Sequence, residues 1–167
     1  MFRKNNEFGT KYQKVLHHLV EYEKYEEAPK GKKFSEYDVK YYDAVGNSMM
    51  IEVKADTYNI ATGNIFIEYE SNGVPSGISV TTADYWVVFC HNPMGDVINW
   101  YYIPTDYIRD LIKREAYLFS CRAGYKKLSR GYLFREDWFR KYQELLDKRS
   151  IPEPDRLVMY EYFKVQY

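Results

Sequence analysis

The chain has 167 residues, 46% of them hydrophobic and 19% aromatic, which is enough apolar material for one domain with a sizeable core. Lysine and arginine (24) balance aspartate and glutamate (24), so a formal net charge of zero excludes a protein drawn to nucleic acid by its overall charge. Any nucleic-acid surface must be a local basic patch, with the acids gathered elsewhere.

Apolar residues Phe8, Tyr12, Val15, Leu16 and Leu19 recur at helical spacing, and predict an amphipathic helix over residues 7–24. Residues 28–33 read as a basic turn. Residues 34–43 and 48–55 read as two strands of a hairpin, with Gly46 and Asn47 tolerating positive φ between them. Residues 56–63 read as loop, 65–70 as a third strand, and 71–77 as turn; Thr81 and Thr82 are placed to cap a short helical turn. Residues 84–91 form a continuous apolar run, expected for a strand buried on both faces.

A turn over 92–96 and a strand over 97–103 follow, then a helix over 106–115 with Thr105 as its N-cap. Residues 117–133 carry several basic side chains and show no clear period. Residues 136–148 read as helix, ended by the prolines at 152 and 154. This order makes a single α/β domain, a mixed sheet flanked by helices, with a core of about 7–115 and a C-terminal helical extension of about 116–167. Most of the 19 tyrosines suit packing at the rim of that core; stacking on bases is the other use of such rings. No stretch has transmembrane length and no signal-peptide pattern opens the chain. Cys90 and Cys121 lack metal-ligand spacing, so a reduced, soluble, intracellular or cytoplasmic protein without a membrane partner is expected.

The chemistry-bearing feature is Glu52-Val53-Lys54, with Asp38 on the preceding strand. In a strand, residues i and i+2 share a face, so Glu52 and Lys54 project together while Val53 points away. Pairing across the hairpin brings Asp38 toward Glu52 at its open end. Two carboxylates and the Val53 carbonyl are hard oxygen donors suited to Mg²⁺, with Mn²⁺ as a substitute, and Lys54 beside them suits an attacking water and a phosphate. Glu-x-Lys on an alternating strand is also what a solvated sheet face looks like.

These residues resemble the PD-(D/E)XK nuclease superfamily, which includes restriction endonucleases, Holliday junction resolvases and phage exonucleases. The resemblance covers roughly residues 7–89. Asp38 stands where the family has its Asp, and Glu52-Val53-Lys54 where it has (D/E)-x-K; Tyr37 replaces the proline that often precedes the Asp. It implies a restriction endonuclease-like αβββαβ core and a Mg²⁺-dependent DNA endonuclease, of resolvase-like or other structure-selective phage or viral type. The implied partner is duplex or branched DNA, with a possible homodimer, in the host cytoplasm if the source is viral. It further implies Asp38, Glu52 and Lys54 as catalytic residues. Asp38, Glu52 and the Val53 carbonyl become metal ligands, joined by Glu68 on the third strand and Glu7 on the first helix. Candidate phosphate contacts are Lys30, Lys32, Lys33, Lys126 and Lys127, with Thr62, Asn64 and Ser76 at small-residue turns around the third strand. The alternative is a catalytically inactive nucleic-acid-binding or protein-interaction module of the same fold.

Overall fold

A computed structural model describes residues 2–29 and 36–147. Helix α1 (Phe2–Leu19) leads into strand β1 (Lys24–Glu27), then β2 (Val39–Tyr42) and β3 (Ser48–Asp56). After a single-turn helix α2 (Asn59–Thr62) come β4 (Asn64–Ser71), the two-residue β5 (Val74–Pro75) and a 3-10 turn (Gly77–Ser79). Strands β6 (Tyr85–His91) and β7 (Val97–Pro104), helix α3 (Thr105–Lys113), strands β8 (Phe119–Ala123) and β9 (Ser129–Arg135), and helix α4 (Glu136–Asp147) complete the described chain.

Two sheets divide the strands. A five-stranded mixed sheet has the order β1-β2-β3-β6-β7, and a four-stranded antiparallel sheet has the order β5-β4-β9-β8. In the first, β3 and β6 run parallel and the other neighbours run antiparallel. The segment from α2 through the 3-10 turn is the crossover that parallel pairing requires, and it carries half of the second sheet. The result is a mixed α/β fold whose mixed sheet is flanked by helices.

Strand β6 explains how the layers are joined. Every one of its residues is buried. Val87 and Phe89 pack with Tyr12, Leu16, Ile51 and Val53, in the core beneath α1. Trp86, Val88 and Cys90 pack with Ile65, Ile67, Phe134 and Phe139, in the core against the second sheet and α4. One strand therefore faces two cores through its alternate residues, as its continuous apolar run predicts.

The predicted hairpin forms, and its turn is held by the Asp43 carboxylate, which accepts the backbone N–H groups of Val45 (3.0 Å) and Asn47 (2.8 Å). Other expectations change. The first helix ends at Leu19, and β1, a strand of exposed Lys24, Tyr25 and Glu26, pairs with β2 as a further sheet member. The strand expected third leaves that sheet: β4 pairs with β9 instead. Residues 119–135, expected within a helical extension, supply β8 and β9 with a 3-10 turn (Tyr125–Lys127) between them, and Glu136–Asp147 forms the α-helix of the described part of that extension. Thr105 opens α3 without a side-chain cap, since Pro104 occupies the N-cap position and the Thr105 hydroxyl is buried without a partner. Thr81 and Thr82 follow the 3-10 turn and bond the carbonyl of Glu36 instead of capping a helix. Cys90 and Cys121 are both free. Among the described residues no helix is long and apolar enough to cross a membrane.

Two glycines in the crossover give a contrast in backbone constraint. At Gly77 (φ +52°) an added Cβ would lie 2.3 Å from the Glu68 carbonyl oxygen, whereas Gly73 (φ +77°) has no atom within 4 Å of that position. Gly73→Ala is expected to cost about 1 kcal/mol, the left-handed penalty alone. Gly77→Ala must also push two backbones apart, and about 2 kcal/mol or more is expected. Urea denaturation of the two variants measures the difference.

Candidate functional site

The β2–β3 register pairs Val39 with Ile51 and Lys40 with Met50. The ladder ends there: the next residue, Asp38, donates its N–H to the Ile51 carbonyl at 2.9 Å, one residue off the register that would pair it with Glu52. The Asp38 carboxylate Oδ2 accepts the Val53 N–H at 2.7 Å. The N–H and C=O of one strand residue point to the same edge, so the Val53 carbonyl lies on Asp38's side as well.

Glu52 and Lys54 project from the face opposite α1, because Met49, Ile51 and Val53 fill the core beneath that helix. Glu52 is only 7% exposed. The Lys54 ammonium Nζ donates to Glu52 Oε1 at 2.5 Å, and the Lys54 side chain is 36% exposed. Across the parallel ladder Glu52 pairs with Trp86, and Lys54 Nζ sits 5.2 Å from the centroid of the fully buried Trp86 ring.

The crossover closes the site from its other side. The buried Thr81 hydroxyl donates to the Glu36 carbonyl at 2.8 Å, and lies 3.4 Å from Glu52 Oε2. The Thr82 N–H bonds the same Glu36 carbonyl at 2.8 Å, and Arg109 from α3 donates to the Thr81 carbonyl at 2.7 Å. These bonds hold the chain just before Asp38 against the crossover. Glu68 on β4 accepts the Ser76 hydroxyl at 2.8 Å.

Charge follows this geometry. Burial first, and the Glu52 charge second, push the Asp38 carboxyl above its ordinary pKa, against the opposing pull of Lys54 and the Val53 N–H. For Lys54, burial is the largest influence and would lower its pKa. Glu52, Asp38, the bond to Glu52, and Glu68 together outweigh burial and hold the ammonium above its ordinary value. All three carboxylates are therefore near enough to be felt by one cation.

The remaining candidates are placed differently. Among the described residues no three His, Cys, Asp or Glu side chains gather closely enough to hold a metal ion, so Glu68 stands beside the Asp38–Glu52 pair and not within a shared cluster. Glu7 lies on α1, which packs on the sheet face away from Glu52; its side chain lies outside the described residues, as do Lys30, Lys32 and Lys33. Thr62 turns its hydroxyl back to the Tyr58 carbonyl (2.9 Å), and Asn64 begins β4, four residues or about 13 Å of strand from Glu68. These two belong to the end of α2 and not to the carboxylate pair. Gly77 serves the close approach of the 3-10 turn to β4, which places Ser76 on Glu68.

A bulge shifts the β4–β9 register between Glu68 and Glu70, and Glu70 pairs with Arg130 at 3.3 Å. Lys126 and Lys127 are exposed at the tip of the β8–β9 hairpin, with φ of 54° and 55°. The tip docks on the β4–β5 turn through the Asn72 N–H and the Leu128 carbonyl (3.0 Å), beyond the Glu68 end of the strand. Trp86, Thr81 and Arg109 were not among the sequence-derived candidates. Trp86 showed only as part of an apolar run, Thr81 only as an expected helix cap, and Arg109 only as a polar helix residue; their roles arise from the parallel crossover.

Neither a protein-family model nor a curated protein sequence matches the chain.

The raised Asp38 carboxyl sets the sign of a stability effect. It contributes to folding while protonated, and loses that contribution as pH rises through its raised folded value. Asp38→Asn keeps an oxygen for the Val53 N–H and removes the charge. In EDTA its urea midpoint is expected above the wild type's at about pH 7, with the two converging at about pH 3.

Proposed function

We propose that the protein is a Mg²⁺-dependent DNA endonuclease with a restriction endonuclease-like core, acting on duplex or branched DNA. The observation that carries this reading is the Asp38 carboxylate held on the Val53 N–H at the open end of a hairpin, near enough for the Glu52 charge to act on it, with Lys54 bound to Glu52. The order of the five-stranded sheet supports it: one helix, three antiparallel strands, a crossover, then a strand parallel to the third. The strand order is the one an αβββαβ core would have, and the crossover departs from that core, being mostly strand and turn instead of helix.

The donor set fits a hard divalent ion. Asp38 and Glu52 would hold it with the Val53 carbonyl, and Mg²⁺ commonly takes one or two carboxylates and completes its octahedron with water and substrate oxygens. When bound, the ion supplies an acidified water and offsets charge on the phosphate. The protein's own groups do the rest. Lys54 lies at the carboxylate pair, where its ammonium orients the attacking water and opposes the charge that develops on phosphorus. Thr81 and the Glu36 carbonyl keep the Asp38 segment in place. Burial would lower the Lys54 pKa, but Glu52 first, then Asp38, and least of all Glu68 hold the ammonium above its ordinary value. Lys126 and Lys127, on the hairpin that prolongs the β4–β9 ladder, are suited to backbone phosphates away from the reacting bond.

A second reading, an inactive binding module of this fold, draws on one observation: Glu52 is already satisfied by Lys54 at 2.5 Å. DNA cleavage separates the two. With Mg²⁺ or Mn²⁺ the purified protein is expected to cut at least one member of a panel of linear, nicked, flap and four-way DNA, and EDTA to stop it. Lys54→Ala is expected to lower the rate by about two to three orders of magnitude with DNA binding largely kept. Undiminished cleavage by that variant would remove Lys54 from the chemistry; an inert wild type on the whole panel favours the binding module.

A further inference from the structure

Glu52 Oε1 is engaged by the Lys54 ammonium at 2.5 Å, and Oε2 lies 3.4 Å from a Thr81 hydroxyl whose single proton is better directed to the Glu36 carbonyl at 2.8 Å. The stronger of the two attachments is therefore to an internal cation. We propose that Lys54 is the resident counter-ion of the Asp38–Glu52 pair, so that a divalent cation binds by exchange for its ammonium and not by entering a vacant cradle. This rests on the metal-dependent reading above.

Burial supplies the reason for a resident cation. Glu52 lies between the sheets at 7% exposure, with the Asp38 carboxylate nearby on the Val53 N–H. Two like charges in that setting repel, and one compensating charge must be present before any metal arrives. Lys54 occupies that role from the same strand, two residues away, so no change of fold is needed to supply it.

Exchange also needs a place for the released ammonium. The Trp86 ring provides it: the ring is fully buried, pairs across the ladder with Glu52, and its centroid lies 5.2 Å from Nζ. A π face holds an ammonium more weakly than a carboxylate does, and still offsets part of its lost hydration. Lys54 can therefore let go of Oε1 while staying at the site. Once released, it is a donor without its carboxylate partner, placed to take a phosphate oxygen.

The test is calorimetric titration with Mn²⁺ alone, without DNA, on the wild type, Lys54→Met and Lys54→Gln, each checked for folding by its circular-dichroism melt. Lys40→Met is the control. It removes the same charge two residues from Asp38, and the Lys40 ammonium rests 5.3 Å from the Tyr42 ring centroid. Exchange predicts Mn²⁺ binding tighter by about tenfold in both Lys54 variants, the ratio for a charge pair of modest strength, with a clearly smaller gain in the control. Equal or weaker binding in the Lys54 variants, or an equal gain in Lys40→Met, overturns the exchange; DNA cleavage by the wild type would then leave the nuclease reading standing. Tighter binding in the Lys54 variants with an inactive wild type would sustain the exchange and defeat the nuclease reading. Absence of Mn²⁺ binding in all four proteins overturns both.

Discussion

A carboxylate on a central strand, shut between two sheets, must be compensated where it lies. Removing a partner from such a group costs several kcal/mol, because water cannot replace it. Glu52 is that carboxylate, at 7% exposure, and Lys54 is its compensation. Much around the site follows from keeping this pair together. Trp86 forms the floor beneath the ammonium, Thr81 approaches the second carboxylate oxygen, and Asp38 is held nearby by the backbone of Ile51 and Val53.

The pair also explains why the crossover matters. Without β6 running parallel to β3 there would be no Trp86 beside Glu52, and without Thr81 and Thr82 on the Glu36 carbonyl the segment before Asp38 would lack its tether. The second sheet is thus part of the site's support. Gly77 lets the 3-10 turn press on β4, and that contact brings Ser76 to Glu68, whose charge reaches Lys54. Sheet packing and site electrostatics are the same set of contacts seen from two sides.

The proposed chemistry draws on how this site is built. Two carboxylates and a backbone carbonyl at one sheet margin are donors for a hard cation, and an ammonium on the same face is a donor for a phosphate. In the proposed function, compensation before a metal arrives and catalysis after it ask different things of Lys54. Both roles are compatible because its side chain is partly exposed and has an aromatic face to rest on.

What the amino-acid order determined was local. The Asp43–Asn47 turn, the alternation of Met49, Ile51 and Val53 against Glu52 and Lys54, and the doubly buried run of β6 are each written in neighbouring residues. The hairpin register was legible and brings Asp38 to the end of the ladder, while its bonds to the Ile51 carbonyl and the Val53 N–H set its final place near Glu52. Strand β1 was not, because Lys24, Tyr25 and Glu26 are exposed and carry no alternation. Nor was the departure of β4 to pair with β9, since Ile65 and Ile67 would suit the core face of either sheet. Only the tertiary structure decided that Trp86 and Thr81 attend the carboxylates and that Thr62 and Asn64 do not. Long-range pairing leaves no period in the sequence; it is chosen by which apolar faces bury one another best.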